Sequence, residues 1–196
     1  MDAKVANTVV PINELIAKRW SPRAFKKDPL DNEMVLKITE AARWSSSSFN
    51  EQPWRIIVGL NEDDTWKKIL DSAVEFNREW AKNAPMLVLM VGKTHFSHND
   101  TPNDHHFYDC GQAANSMLIQ AVELDIYCRQ MAGFIPEKAI KNFNIPEGYK
   151  PAALMAFGYR GSEKDLGKLG EDENKPRVRK SREENIWSDW DSALEL

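Results

Sequence analysis

No purely apolar run in this 196-residue chain is longer than six residues, the length of the run from Met86 to Val91. Such a run fits one buried strand and falls far short of the ~20 residues that a helix needs to cross a bilayer. With 42% hydrophobic and 29% charged residues, the chain has the composition of an ordinary soluble protein. The run therefore predicts a central strand. The length of 196 residues fits a single domain that is large enough for a sizeable core.

Helical and extended patterns alternate around this run. Asp31 is the predicted N-cap of one helix and Asp109 that of a longer one, because apolar residues recur at helical spacing after each. Asp63 or Asp64 is the predicted cap of a third helix, and a short helix over 136–143 begins with proline. Further strands are predicted over 54–59, 126–131 and 152–157. This order predicts an α+β fold with a mixed central β-sheet sandwiched by helices.

Charge and cysteine content exclude several classes of function. The net charge is −4, and acidic residues surround the one basic stretch, 175–182. A nucleic-acid-binding protein needs a clustered basic surface, so we expect no nucleic acid as partner. One or two phosphates fit the stretch. We also expect no membrane as partner, because the apolar runs are too short to cross a bilayer. Cys110 and Cys128 form no CxxC pair, which favours reduced, inert thiols in a cytoplasmic protein over a disulfide.

A short run near the start, Arg19-Trp20-Ser21-Pro22-Arg23, concentrates groups that bind anions. Pro22 pushes the preceding residue towards an extended backbone, in which alternate side chains share a face. Arg19, Ser21 and Arg23 are then expected on one side, with two guanidinium groups around one hydroxyl. Arginine offers a permanent charge and paired hydrogen bonds, so the run predicts a site for a phosphate or another compact anion.

A second run, from Ser47 to Trp54, contains two hydroxyls, two carboxamides and a tryptophan around a proline, just before a predicted strand. Carboxamides both donate and accept hydrogen bonds, as recognition of the edge of a heterocycle requires. The same residue types also form ordinary turns, which is the alternative interpretation.

In this order the two runs resemble the N-terminal signatures of the FMN-dependent nitroreductase family. Further blocks are similar to the family in the same order: 77–80 (NREW), 108–111 (YDCG), 130–134 (QMAGF), 158–161 (GYRG) and the basic segment 177–180 (RVRK). The resemblance spans roughly residues 12 to 188. Ser45-Ser46 depart from it, because the family usually has Ala-Pro there, and the loss of a fixed φ predicts a more mobile loop.

The resemblance implies bound FMN, with NAD(P)H as co-substrate. It places Arg19 and Ser21 at the FMN phosphate from one end of the chain, and Arg177 and Arg179 from the other. It also suggests Arg23 as the cation beside the N1/C2 carbonyl edge, where it would favour reduced flavin. The alternatives are an ion pair between Arg23 and a nearby acid, and a solvated charged face for the two late arginines.

The residues that we expect at the cofactor are Arg19, Trp20, Ser21, Arg23, Ser46, Ser47, Ser48, Asn50, Asn77, Met131, Ala132, Gly133, Arg177 and Arg179. By resemblance, Asn77 hydrogen-bonds the flavin ring and the paired serines reach it from the opposite subunit. The backbone of Ala132 and Gly133 is expected to direct an N–H at flavin N5, since glycine permits close approach. No side chain is expected to act as nucleophile or general base, because the cofactor carries the chemistry.

The resemblance further implies a homodimer of single-domain chains (1–196). An N-terminal arm (1–11) and a C-terminal extension (162–196) are expected to pack on the partner, and the extension carries Trp187, Trp190 and Leu194. The implied activity transfers electrons from NAD(P)H to a nitroaromatic, quinone or activated alkene by a ping-pong mechanism. Two other functions remain open: a flavin-binding protein for storage or sensing, and a module that binds a different phosphate ligand.

Four histidines crowd the segment 95–106, together with two aspartates. Such a cluster can bind a metal, but its spacing matches no familiar site. We therefore expect no metal, and we interpret the segment as a substrate-facing loop over the flavin.

Overall fold

The computed structural model describes residues 4–173 and 175–195. Its centre is a four-stranded sheet with the order β1-β2-β4-β3. The strands are β1 (Trp54–Leu60), β2 (Met86–Lys93), β3 (Tyr127–Met131) and β4 (Tyr149–Gly158). All three pairings are antiparallel, so the prediction of a mixed sheet was wrong. The helices between strands suggested parallel crossovers, but consecutive strands lie side by side in opposite directions, β1 with β2 and β3 with β4.

The described residues contain seven α-helices: α1 (Glu14–Lys18), α2 (Asn32–Arg43), α3 (Asp64–Ser72), α4 (Glu75–Ala81), α5 (His106–Glu123), α6 (Pro136–Phe143) and α7 (Gly170–Glu173). Two short 3-10 helices are also present in this part of the chain, Ser48–Asn50 and Glu163–Leu169. Asp63 caps α3, because its Oδ1 accepts the Trp66 N–H at 2.6 Å. The cap predicted at Asp109 was wrong. The N-cap of this helix is His105, the helix begins at His106, and Asp109 lies in its first turn.

Alternate residues of β2 belong to two cores, as expected for a strand that is covered on both faces. Met86, Val88 and Met90 pack with residues of α2 and α5. Leu87 and Leu89 pack with residues of α3, α4 and α6. The helical layers on both sides of the sheet confirm the predicted sandwich. No helix among the described residues is long and apolar enough to cross a bilayer.

The two ends of the chain differ in their packing. Near the N-terminus, Lys4 is buried, and its Nζ donates to the Lys175 carbonyl at 2.6 Å. Near the C-terminus, β5 (Trp187–Asp189) and β6 (Ser192–Ala193) form a small hairpin, on which Trp190 is 85% exposed. The hairpin therefore offers apolar surface to the solvent.

Candidate functional site

Three of the predicted phosphate ligands converge from the two ends of the chain. Arg19 Nη1 donates to Ser21 Oγ at 3.1 Å, as their predicted common face requires. Burial and then repulsion from Arg179 lower the pKa of Arg19, while burial and then repulsion from Arg19 and Arg179 lower that of Arg177. Arg177 is fixed by two bonds of 2.9 Å, to the carbonyls of Lys4 and Ala17. The arrangement concentrates positive charge.

No carboxylate forms a hydrogen bond or ion pair with these three arginines in the described part of the chain. Cations in such proximity repel one another, and an anion bound between them offsets this repulsion by its attraction to each. A cavity of about 520 Å³ lies beside Arg177 and Arg179, lined by residues 6–10, Ile12 and 177–182. The donor set therefore fits the phosphate group that the family resemblance implies.

Asn77 and Gly133, predicted as neighbours of the flavin ring, contact each other directly. Asn77 Nδ2 donates to the Gly133 carbonyl at 2.9 Å, and Asn77 Oδ1 accepts the Trp80 indole N–H at 3.2 Å. A Cβ at position 133 would lie only 2.7 Å from Asn77 Nδ2, so the glycine is needed for this approach. The Gly133 N–H donates to no backbone group among residues 4–173 and 175–195. It remains available to a ligand.

Arg23 has different neighbours from Arg19. Its backbone N–H donates to Glu173 Oε1 at 3.0 Å, and its guanidinium carbon lies 5.8 Å from the centre of the Phe76 ring. The interactions of Arg19 instead involve Ser21, Arg177 and Arg179. Arg19 therefore lies at the Ser21 hydroxyl as predicted, whereas Arg23 lies over α4. The prediction of two guanidinium groups around that one hydroxyl was wrong, because the chain turns between Ser21 and Arg23 towards a different part of the fold.

Arg129 links these parts of the site, and sequence reasoning missed it. Its Nη1 donates to the Ser21 carbonyl at 2.6 Å, and its guanidinium carbon lies 5.7 Å from the centre of the Trp80 ring. Since Trp80 also bonds to Asn77, a continuous set of contacts runs from the anion-binding run to the Gly133 segment. The available signal was a cationic residue within a predicted strand.

The serine loop is anchored on α5 rather than on the arginine cluster. Ser46 Oγ donates to Gln112 Oε1 at 2.6 Å, and the Ser48 N–H donates to Asp109 Oδ2 at 3.1 Å. Ser47 Oγ accepts the Gln52 N–H at 3.0 Å. Asp109 is thus a buried anchor of the loop, a role that sequence reasoning missed because the bond to Ser48 depends on the tertiary fold.

Backbone strain marks the centre of this loop. Phe49, Asn50 and Gln52 have φ values of 51°, 53° and 50°, a region that residues other than glycine seldom adopt. Phe49 is nevertheless 82% exposed, and its ring centre lies 5.7 Å from that of Phe96 and 5.9 Å from that of His98. The loop and the histidine-rich segment thus form one aromatic surface.

Glu51 joins the two segments. Its Oε2 accepts the Ser97 N–H at 2.8 Å, and Lys93 Nζ lies 3.5 Å from its Oε1. No three His, Cys, Asp or Glu side chains gather around a possible metal position in the residues that the structure describes.

The remaining predicted residues have mixed environments. Trp20 and Met131 are buried, and Met131 packs in the core around α3, α4 and α6. Ala132 and Asn50 are exposed. The side chains of the two buried residues are covered by the rest of the protein, so they could contact a ligand only after rearrangement.

Comparisons with known proteins agree with this architecture. The sequence model of the Nitroreductase family matches residues 16–79 and 59–159. A curated protein from Thermus thermophilus named NADH dehydrogenase is 36% identical over 74% of this chain and 85% of its own length. One from Helicobacter acinonychis, named oxygen-insensitive NADPH nitroreductase, is 29% identical over 58% of this chain and 54% of its own.

A solved structure described as an oxidoreductase containing FMN superimposes with a TM-score of 0.88, at 30% sequence identity and over 93% of both chains. The family match covers well over half of the sequence, including the arginine run and the Asn77–Gly133 pair. The chain therefore belongs to the nitroreductase family.

Proposed function

We propose that this protein is an FMN-dependent oxidoreductase that passes electrons from NAD(P)H to a small acceptor, a nitroaromatic, a quinone or an activated alkene. FMN, when bound, supplies the electron-transfer chemistry of both half-reactions. The observation that carries the proposal is the convergence of Arg19, Arg177 and Arg179 without a carboxylate partner among the described residues. Relatives named for NADH, NADPH and nitroreduction, and a structural neighbour named for FMN, support it.

The arginine cluster would hold the phosphate end of the cofactor. Arg177 is already fixed by two backbone carbonyls, and Ser21 supplies a hydroxyl bonded to Arg19. Because these donors are held in place before a ligand arrives, little side-chain entropy is lost on binding. Trp20 contributes through its backbone and its buried packing.

The Asn77–Gly133 pair would face the flavin ring. The free Gly133 N–H is the group that we assign to ring position N5, with Ala132 and Met131 shaping the strand end. Asn77 retains one amide hydrogen and one carbonyl lone pair beyond its contacts with the protein. Arg23, over α4, is the cation that would favour the reduced form.

We propose a homodimer with shared sites, built from single-domain chains. In the described residues no hydrogen bond, ion pair or ring contact joins the loop of Ser46, Ser47, Ser48 and Asn50 to the arginine cluster. That loop therefore suits a site in the partner. The exposed C-terminal hairpin and the exposed Phe107 and Tyr108 on α5 offer surface that a second copy can cover. The N-terminal arm (1–11) and the C-terminal extension (162–196) would take part.

The acceptor is proposed to bind against the aromatic surface of Phe49, Phe96 and His98, where flat rings stack favourably. The chain carries no GxGxxG fingerprint for a second nucleotide, so donor and acceptor would use one position in turn, which predicts ping-pong kinetics. Reduced, buried thiols at Cys110 and Cys128 suit a cytoplasmic location.

The purified protein tests the proposal directly. We expect a yellow protein that releases FMN on denaturation and oxidises NADH or NADPH when nitrobenzene or a benzoquinone is added, with parallel double-reciprocal lines. FMN binding without turnover would indicate storage or sensing instead. A colourless protein that neither retains nor binds added FMN would contradict the proposal, and FAD in the supernatant would contradict the phosphate assignment.

A further inference from the structure

Glu173 is a buried acidic residue to which the proposed activity gives no role. It is the last residue of α7, and it is only 4% exposed. Its Oε1 accepts the backbone N–H of Arg23 at 3.0 Å, although the two residues lie 150 positions apart in the chain. The fold thus brings a carboxylate from the C-terminal part of the chain to the residue that is proposed to tune the flavin.

A buried carboxylate is costly unless N–H groups or cations compensate for its lost hydration. Here the N–H belongs to Arg23, which also carries a cationic side chain, so one residue supplies the hydrogen bond and a nearby positive charge. The hydrogen bond fixes the Arg23 backbone. The negative charge opposes part of the positive potential that Arg23 alone would create around it.

We infer that Glu173 is a positioning residue that holds Arg23 and lowers the reduction potential of the bound flavin by offsetting the charge of that arginine. The inference rests on the proposed function, because it concerns FMN beside Arg23. Reduction adds negative charge to the flavin edge, so a carboxylate nearby disfavours the reduced form relative to the oxidised one. With an effective dielectric constant of about 20, a unit charge on the order of 10 Å from a second charge changes an equilibrium about tenfold, which sets the scale of the expected effect.

Glu173→Gln separates charge from hydrogen bonding, since the amide oxygen can still accept the Arg23 N–H. We expect the ratio of the affinity for reduced FMN to the affinity for oxidised FMN to be about tenfold higher in this variant than in the wild type. For a two-electron couple this ratio corresponds to a potential about 30 mV higher. The potential is measured on the FMN-loaded protein by equilibration with reference dyes, and the affinity for oxidised FMN by fluorescence titration of the apoprotein.

Glu171→Gln is the matched control, because Glu171 lies on the same short helix and is exposed. It should leave the potential unchanged. Glu173→Asp keeps the charge but withdraws it by one methylene, and it should raise the potential by a smaller amount. It also serves as the test if the glutamine variant does not fold.

An unchanged or lower potential in Glu173→Gln would overturn the inference. So would an unchanged potential in Glu173→Asp if that variant alone folds. In both cases a wild-type protein that holds FMN leaves the proposed function intact. A wild-type protein that binds no FMN overturns the proposed function and this inference together.

Discussion

Replacing Arg179 with alanine should weaken FMN binding without weakening the apoprotein. The only hydrogen bond that Arg179 donates within the described residues runs to the neighbouring Val178 carbonyl at 2.8 Å, and the residue is exposed. Its loss should therefore change the free energy of unfolding by less than about 0.5 kcal/mol from lost contacts. Removal of its repulsion with Arg19 and Arg177 acts in the stabilising direction, by up to about 1 kcal/mol.

In contrast to this small stabilisation of the apoprotein, Arg179→Ala should weaken the complex with FMN. A charge-assisted hydrogen bond to phosphate contributes about 1.5–3 kcal/mol, so the dissociation constant of FMN should rise roughly 10- to 150-fold. The two measurements are fluorescence titration of the apoprotein with FMN and thermal unfolding of the apoprotein at low ionic strength. Added salt should reduce the stabilisation of the apoprotein, because it screens exposed charges.

Lys141→Ala provides the control, since Lys141 is an exposed cation on α6 that does not line the cavity beside Arg177 and Arg179. It should change FMN affinity by less than a factor of about three, as an exposed charge outside the site contributes little. An unchanged FMN dissociation constant in Arg179→Ala would place the phosphate elsewhere. A clear loss of apoprotein stability would show that Arg179 supports the fold rather than a ligand.

Three further outcomes follow from the structure. Gly133→Ala should displace Asn77, because Asn77 Nδ2 would lie 2.7 Å from the new Cβ. Overpacking of this kind lowers the free energy of unfolding by about 1–3 kcal/mol, which chemical denaturation measures. The affinity for FMN should fall as well. Burial raises the pKa of Cys110 to about 12 and that of Cys128 well above its ordinary value, so both thiols stay protonated at pH 8. Ellman's reagent should then label them only after denaturation, and rapid labelling of the native protein would contradict the burial. Light scattering should give about twice the chain mass of 22.5 kDa, whereas a monomer that retains FMN would exclude shared sites.

Patterns that act locally predicted most of the fold. The apolar run became the buried strand β2, Asp63 caps its helix, and the proline at 136 begins α6 as expected. Strand direction was not predictable in this way, because the same helix-strand alternation accommodates parallel and antiparallel neighbours. The helix α4 was also missed, since its seven residues carry too few apolar positions to establish a period.

The site was predictable where residue type alone specifies the chemistry. Arginines at both ends of the chain indicated an anion, and the structure places Arg19, Arg177 and Arg179 together. Contacts that depend on the tertiary fold were not predictable. Nothing in the sequence connects Glu173 to the Arg23 backbone, or Arg129 to the Ser21 carbonyl, because each pair lies more than 100 positions apart.

The missed helix α4 explains how these separate parts of the proposed site come to lie together. Within two turns it presents Phe76 to Arg23, Asn77 to the Gly133 carbonyl, and Trp80 to both Asn77 and Arg129. Trp80 is buried, so the helix cannot rotate without opening the core. The cation that would tune the flavin and the backbone that would meet it are therefore held at a fixed spacing by one rigid element, as catalysis through a bound cofactor requires.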